Sequence, residues 1–163
     1  MMLRSILGAA LSVILVERAS AQIAGIEAEL VMGDLMVQST GNENESQKAV
    51  DRLVECSAFF NQFRVQASSR QKIEQGAREG LVTMEESTRD AAVLIWSRHS
   101  PYPASEVDGL RAEALVEASD MLEATGVENV SFLQRYDICS QAFLFSQFYM
   151  ETARETIGGI KGN

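Results

Sequence analysis

Apolar side chains recur along most of this chain at alternating spacings of four and three residues, the repeat of an amphipathic helix facing a core. Between residues 45 and 67 the repeat falls on Ala49, Leu53, Cys56, Phe60, Phe63 and Ala67. Between residues 131 and 157 it falls on Phe132, Tyr136, Cys139, Phe143, Ser146, Met150, Ala153 and Ile157. Strand-like alternation of apolar and polar residues is sparse. The periodicity therefore predicts an all-α protein.

Turn-forming residues divide the chain into five predicted helices. The predicted helices cover residues 23–37, 45–67, 69–98, 105–125 and 131–157. Asn44 is the predicted N-cap of the second helix, and Gly158 with Gly159 is predicted to end the fifth. Segments of this length with short connections favour an up-down four-helix bundle built from the second to fifth helices. The first helix is then an additional N-terminal helix.

The two cysteines occupy the same position in the repeats of the second and fifth helices. Cys56 and Cys139 both lie on the core side, and in the predicted bundle these two helices are antiparallel neighbours. The cysteines lie at comparable heights along the two helices. We therefore predict a Cys56–Cys139 disulfide, with two buried free thiols as the alternative.

The N-terminal residues have the pattern of a secretory signal peptide. Arg4 precedes an uncharged run at residues 6–16, and Ala19-Ser20-Ala21 follows as an A-x-A cleavage motif. The uncharged run is shorter than the roughly 20 residues that a bilayer-spanning helix needs. Residues 1–21 are therefore predicted to be a leader that is cleaved between Ala21 and Gln22. The mature protein is then periplasmic or secreted, without a membrane span.

The rest of the chain, residues 22–163, is predicted to form a single helical domain. The sequence holds 23 acidic and 14 basic residues, for a formal net charge of −9. Loss of the leader, with two Arg and one Glu, makes the mature chain more negative still. An acidic protein is repelled by nucleic acid and by anionic membrane surfaces. We therefore predict no nucleic-acid partner.

Catalytic and metal-binding motifs are missing from the sequence. His99 is the single histidine, which excludes a multi-histidine metal site, and the haem-attachment motif C-x-x-C-H does not occur. Glu113, Glu117 and Asp120 share one side of the fourth helix, a spacing more typical of a solvated face than of a cation site. We predict no catalytic residue, no metal and no cofactor, and hence a protein that is not an enzyme.

Aromatic residues are concentrated in the second and fifth helices, which hold nine of the eleven in the chain. When the fifth helix is projected at 100° per residue from Phe143, both Phe145 and Phe148 point away from the core side. When a helix is apolar on two faces, either the rest of the chain covers both faces or one of them is presented to a partner. Phe145 and Phe148 are therefore the predicted partner-binding residues, and residues 23–37 are the internal alternative for covering them.

These features predict an exported, non-enzymatic helical bundle that acts through protein–protein contact, as an accessory, inhibitor or envelope component. Its expected partner is another protein or a second copy of the chain. The alternative function is a carrier of a small apolar ligand, held between helices that are lined by Phe and Met side chains.

Overall fold

The computed structural model describes residues 31–69, 73–125 and 130–160, which are almost entirely helical and contain no strand. The described part of helix α1 covers residues 31–38. The longer helices are α2 (Glu43–Ser69), α3 (Gln75–His99), α4 (Ser105–Thr125) and α5 (Val130–Ile160). The predicted leader, residues 1–21, and the first part of the predicted N-terminal helix lie outside the described residues.

Helices α2 to α5 form the predicted four-helix bundle, and α1 is the additional N-terminal helix. Helix α2 packs most closely on α3 and α4, while α5 lies against α3 and α2. Ser57 on α2 bonds the carbonyl of Glu85 on α3, and Val50 lies with Trp96 near the opposite end, so these helices are antiparallel. The all-α prediction is confirmed.

One apolar core runs through the described residues. Its largest fully buried side chains include Phe59, Phe60, Leu53, Ile95, Val107, Leu122 and Phe145. Leu35 of α1 joins the same core at 1% exposure, so the N-terminal helix is packed on the bundle. Fully burying a side chain of this size stabilises a fold by about 1.5 to 3 kcal/mol. The core therefore holds α1 together with the four longer helices.

The turn between α1 and α2 depends on a close backbone approach. A side chain on Gly41 would place its Cβ 2.8 Å from the Cβ of Glu45, which is closer than two carbon atoms can pack. The side chain of Asn42 accepts a hydrogen bond from the backbone N–H of Glu45 at 3.1 Å, which caps the start of α2. The predicted cap, Asn44, is wrong because α2 begins one residue earlier, at Glu43, and already includes it.

The connection between α3 and α4 is held by the tryptophan side chain. Proline at positions 101 and 103 prevents α3 from continuing beyond His99. The indole N–H of Trp96 donates to the carbonyl groups of Tyr102 and Pro103, each at 3.1 Å. These bonds satisfy the buried indole and fix the direction in which α4 leaves the turn.

An exposed ion pair also links α3 and α4. Arg89 donates to the carboxylate of Asp108 at 2.8 Å, and this hydrogen bond raises the pKa of the Arg89 guanidinium above its ordinary value. Both side chains are about half exposed, so the pair contributes little to stability.

The C-terminal end of the bundle differs from the prediction. Helix α5 continues through Gly158 and Gly159 to Ile160, so the expected stop at these glycines is wrong. Glycine weakens a helix by only about 1 kcal/mol per residue, which is too little to end it wherever it occurs.

Within the described ranges, none of the helices combines the length and apolar character required to cross a bilayer.

Candidate interaction surface

A disulfide joins α2 and α5 at the centre of the bundle. The structure brings Cys56 and Cys139 together with an S–S distance of 2.14 Å and a Cα–Cα distance of 5.1 Å, as the shared position in the two repeats predicts. Both residues are fully buried. The bond fixes the height of α5 against α2.

An aromatic cluster beside the disulfide fixes the rotation of α5. The ring of Phe132 lies 5.5 Å from that of Phe59 and 5.0 Å from that of Phe63. One turn further along α5, the ring of Tyr136 meets that of Phe60 edge-on at 6.4 Å. These geometries are favourable for aromatic pairs and add to the energy of burial. Since one face of α5 is held against α2 in this way, the opposite face is turned to solvent.

The two predicted partner-binding residues lie in different environments. Phe148 is 48% exposed, whereas Phe145 is 0% exposed and its ring stacks on that of Tyr149 at 5.4 Å. The prediction that both point away from the core is therefore wrong for Phe145. The prediction took Phe143 as the centre of the buried face of α5. Phe143 is only partly buried, whereas Ala142 is fully buried, and Ala142 lies three residues before Phe145, on the same side of the helix.

An open groove runs beside the exposed Phe148, between α5, the end of α1 and the end of α3. Its volume is about 470 Å³, and it is lined by Met36, Ser39, Thr40, Arg98, Phe148, Tyr149, Thr152, Ala153 and Thr156. Arg98 donates to the hydroxyl of Tyr149 at 2.8 Å and stacks over its ring at 5.4 Å. The charged end of Arg98 is therefore already engaged, and Met36 and Phe148 supply exposed apolar surface.

A charged network at the junction of α2, α3 and α4 was not predicted. The carboxylate of Glu85 accepts hydrogen bonds from Asn61 at 2.8 Å, from Arg64 at 3.2 Å and from Arg111. Arg111 also donates to the hydroxyl of Ser57 at 3.2 Å. The Glu85 side chain is only 12% exposed, and both of its oxygens are used. The arrangement is suited to joining three helices rather than to binding a further ligand.

The sequence contains a weak signal for this network. Glu85 lies between Leu81 and Thr88, at the spacing of the buried face of α3. A carboxylate at a core position is retained when cations and hydrogen-bond donors compensate for its burial. Arg64 and Arg111 are the compensating cations, but they come from other helices, and their proximity depends on the tertiary packing.

We predict that Glu85→Gln destabilises the bundle by about 1 to 3 kcal/mol, because it removes the charge from hydrogen bonds that two partly buried guanidinium groups make. Urea unfolding followed by circular dichroism measures this change. Glu86→Gln is the matched control, since Glu86 is exposed and its replacement should change the free energy of unfolding by less than about 0.5 kcal/mol. Equal stability of both variants would contradict a structural role for the network.

His99 and the three carboxylates of α4 are not among the residues that line the groove beside Phe148. His99 is the last residue of α3 and borders a narrow cleft with Glu43, Trp96 and Ser100. Glu113, Glu117 and Asp120 are exposed on α4. Nowhere in the described part of the chain do three or more His, Cys, Asp or Glu side chains gather in an arrangement suited to a metal ion.

Comparison of the chain with protein-family models, with curated proteins and with solved structures finds no match.

Proposed function

We propose that this protein is an exported, non-enzymatic helical bundle that acts through protein–protein contact at the surface around Phe148. The observation that carries the proposal is the exposure of two large apolar side chains on one groove, Phe148 at 48% and Met36 at 40%. Apolar side chains that line a shared groove at the surface mark contact sites more often than scattered ones do. Accessory subunits, inhibitors and envelope components all act through such surfaces.

The buried disulfide supports export to the periplasm or the exterior. Disulfides form and persist in oxidising compartments and are rare where thiol reductants are abundant. Cys56 and Cys139 are at bonding distance in the centre of the bundle, which fits a protein that folds after export. Cleavage of residues 1–21 between Ala21 and Gln22 remains part of this proposal, since those residues lie outside the described structure.

A photocrosslinking experiment tests the proposed contact. A benzophenone amino acid at position 148, introduced in the organism that makes the protein, should give a discrete adduct with one protein. The same group at position 116 is the control, because Val116 is 62% exposed on α4, away from the groove. Identical adduct patterns from both positions would contradict a specific contact at Phe148.

The groove also favours the alternative function, a carrier of a small apolar ligand. Its volume of about 470 Å³ lies within the usual range for ligand pockets, and Met36, Phe148 and Ala153 give it an apolar lining. The expected ligand position between the helices is instead filled by the aromatic cluster around Phe59. If an unlabelled fatty acid displaces a bound fluorescent one saturably, and Phe148→Asp abolishes this binding, the result would favour the carrier over the contact function.

A further inference from the structure

The solvent face of α5 carries a stripe of apolar and acidic side chains, interrupted by Ser140 and Gln141. Leu133, Leu144 and Phe148 are 54%, 49% and 48% exposed. Three carboxylates share the stripe and are also exposed: Asp137, Glu151 and Glu155. At 100° per residue all six side chains fall within an arc of about 60°. We refer to these six residues as the α5 stripe.

The spacing of the α5 stripe fits a second helix. From Leu144 onward the intervals are four, three and four residues, through Phe148 and Glu151 to Glu155, and Leu133 and Asp137 extend the same line. This is the heptad interval at which two helices interlock their side chains. The stripe is about 33 Å long at 1.5 Å per residue, enough for six turns of a partner helix.

The charge of the α5 stripe indicates the chemistry of the partner. Its three charged residues are all acidic, and the arc contains no Lys or Arg between residues 131 and 156. Within the described residues, Asp137, Glu151 and Glu155 form no ion pair. A cationic side chain on a partner helix would therefore meet a carboxylate that has no competing salt bridge within the bundle.

A second copy of this chain does not suit the α5 stripe. In an antiparallel pair centred on Leu144, Asp137 of one copy would face Glu151 of the other. A parallel, in-register pair would place each carboxylate beside the same carboxylate of the other chain. Like charges opposed across a helix pair are destabilising, and a net charge of −9 per chain adds to the repulsion.

We propose that the α5 stripe docks a basic amphipathic helix of a different protein, whose apolar residues cover Leu133, Leu144 and Phe148. Lys or Arg side chains that lie between those apolar residues, on the same face of the partner helix, pair with the three carboxylates. This inference rests on the proposed contact function and specifies the partner by its chemistry. The binding is a helix-on-helix contact in which apolar and charged pairs alternate along one seam, which gives it both affinity and selectivity.

The probe for this proposal is a synthetic helical peptide of about 24 residues, with Leu at the seam positions that face the apolar residues of the stripe and Lys at those that face its carboxylates. Fluorescence anisotropy at physiological ionic strength should show saturable binding to the mature protein. A peptide of the same composition in scrambled order should bind at least about tenfold more weakly, and a peptide with Glu in place of Lys should not bind. Phe148→Ser should weaken binding of the Lys peptide by a similar factor.

A charge reversal makes the test specific to the stripe. The three carboxylates are replaced together, as Asp137→Lys, Glu151→Lys and Glu155→Lys. This triple variant should no longer bind the Lys peptide and should bind the Glu peptide instead. The control reverses Glu113, Glu117 and Asp120, which are exposed on α4, and so makes the same change in net charge. The control variant should keep its preference for the Lys peptide.

Several results would overturn the proposal. Equal binding of ordered and scrambled Lys peptides would mean that an acidic protein merely attracts cations. Concentration-dependent dimers that Phe148→Ser abolishes would assign the stripe to a second copy. If a photocrosslinker at position 148 reacts with residues 22–30 of the same chain, the stripe is a contact site for the N-terminal segment. If the peptide fails to bind but position 148 still captures another protein, the contact function stands and the basic helix is wrong.

Discussion

Phe145→Asp should abolish cooperative folding of the bundle. Phe145 is fully buried, and its ring stacks on that of Tyr149. Removing a buried phenylalanine costs about 3 to 5 kcal/mol through lost packing and the cavity left behind. The new carboxylate would also be buried without a partner, which adds several kcal/mol more. Together these losses approach or exceed the roughly 5 to 15 kcal/mol that holds a domain of this size folded.

The same substitution three residues later is the control for this experiment. Phe148 is 48% exposed, so its carboxylate would remain in water, and Phe148→Asp should change the free energy of unfolding by less than about 1 kcal/mol. Circular dichroism during thermal unfolding distinguishes the two variants. A cooperative transition in Phe145→Asp close to that of the unmodified protein would show that Phe145 is not part of the core.

The helices that hold the disulfide could be predicted from the sequence because bulky side chains mark their buried faces. The predicted α2 repeat contains Leu53, Cys56 and Phe60, and all three are fully buried. In α5 the repeat correctly places Cys139 in the core. A face defined by large aromatic and aliphatic residues leaves little freedom in the rotation of a helix. The pairing of the cysteines follows from these two faces.

The rotation of α3 could not be predicted in the same way. The spacing predicts a buried face with Ile73, Ala77, Gly80, Met84, Ser87, Ala91 and Leu94. Ala91 is fully buried, but Leu81, Thr88 and Ile95 are buried in place of Gly80, Ser87 and Leu94, each one position earlier. Small side chains fit either phase, so the pattern alone does not fix the rotation. Burial of the polar Thr88 is compatible with the core because its hydroxyl donates to the carbonyl of Met84 at 2.8 Å.

The burial of Phe145 required information from outside its own helix. The sequence pattern around Phe143 describes a narrow face, suited to contact with a single neighbour. The structure places α5 against both α2 and α3, and adds Leu35 of α1 to the shared core. A helix with several neighbours buries a wider arc, which includes Phe145 and leaves Phe148 at its edge. The sequence therefore predicts the exposure of Phe148 correctly and that of Phe145 wrongly.

Loss of the disulfide should produce the second large effect. The bond between Cys56 and Cys139 spans 83 residues of sequence, so it restricts a large part of the unfolded chain. In the chain-entropy model a loop of this length contributes about 4 to 5 kcal/mol to stability. We expect the double variant Cys56→Ala and Cys139→Ala to lose about this much free energy of unfolding, and to melt roughly 10 to 20 °C lower.

The state of the cysteines in the exported protein provides the direct check. Intact mass spectrometry should give the mass of a chain that begins at Gln22 and has lost two hydrogens to the disulfide. Because both cysteines are fully buried, a reductant should open the bond slowly in the folded protein and rapidly once denaturant is added. If alkylation without reduction labels both cysteines in exported material, the bond does not form there. The bundle would then depend on its apolar core and on the Glu85 network without a covalent link between α2 and α5.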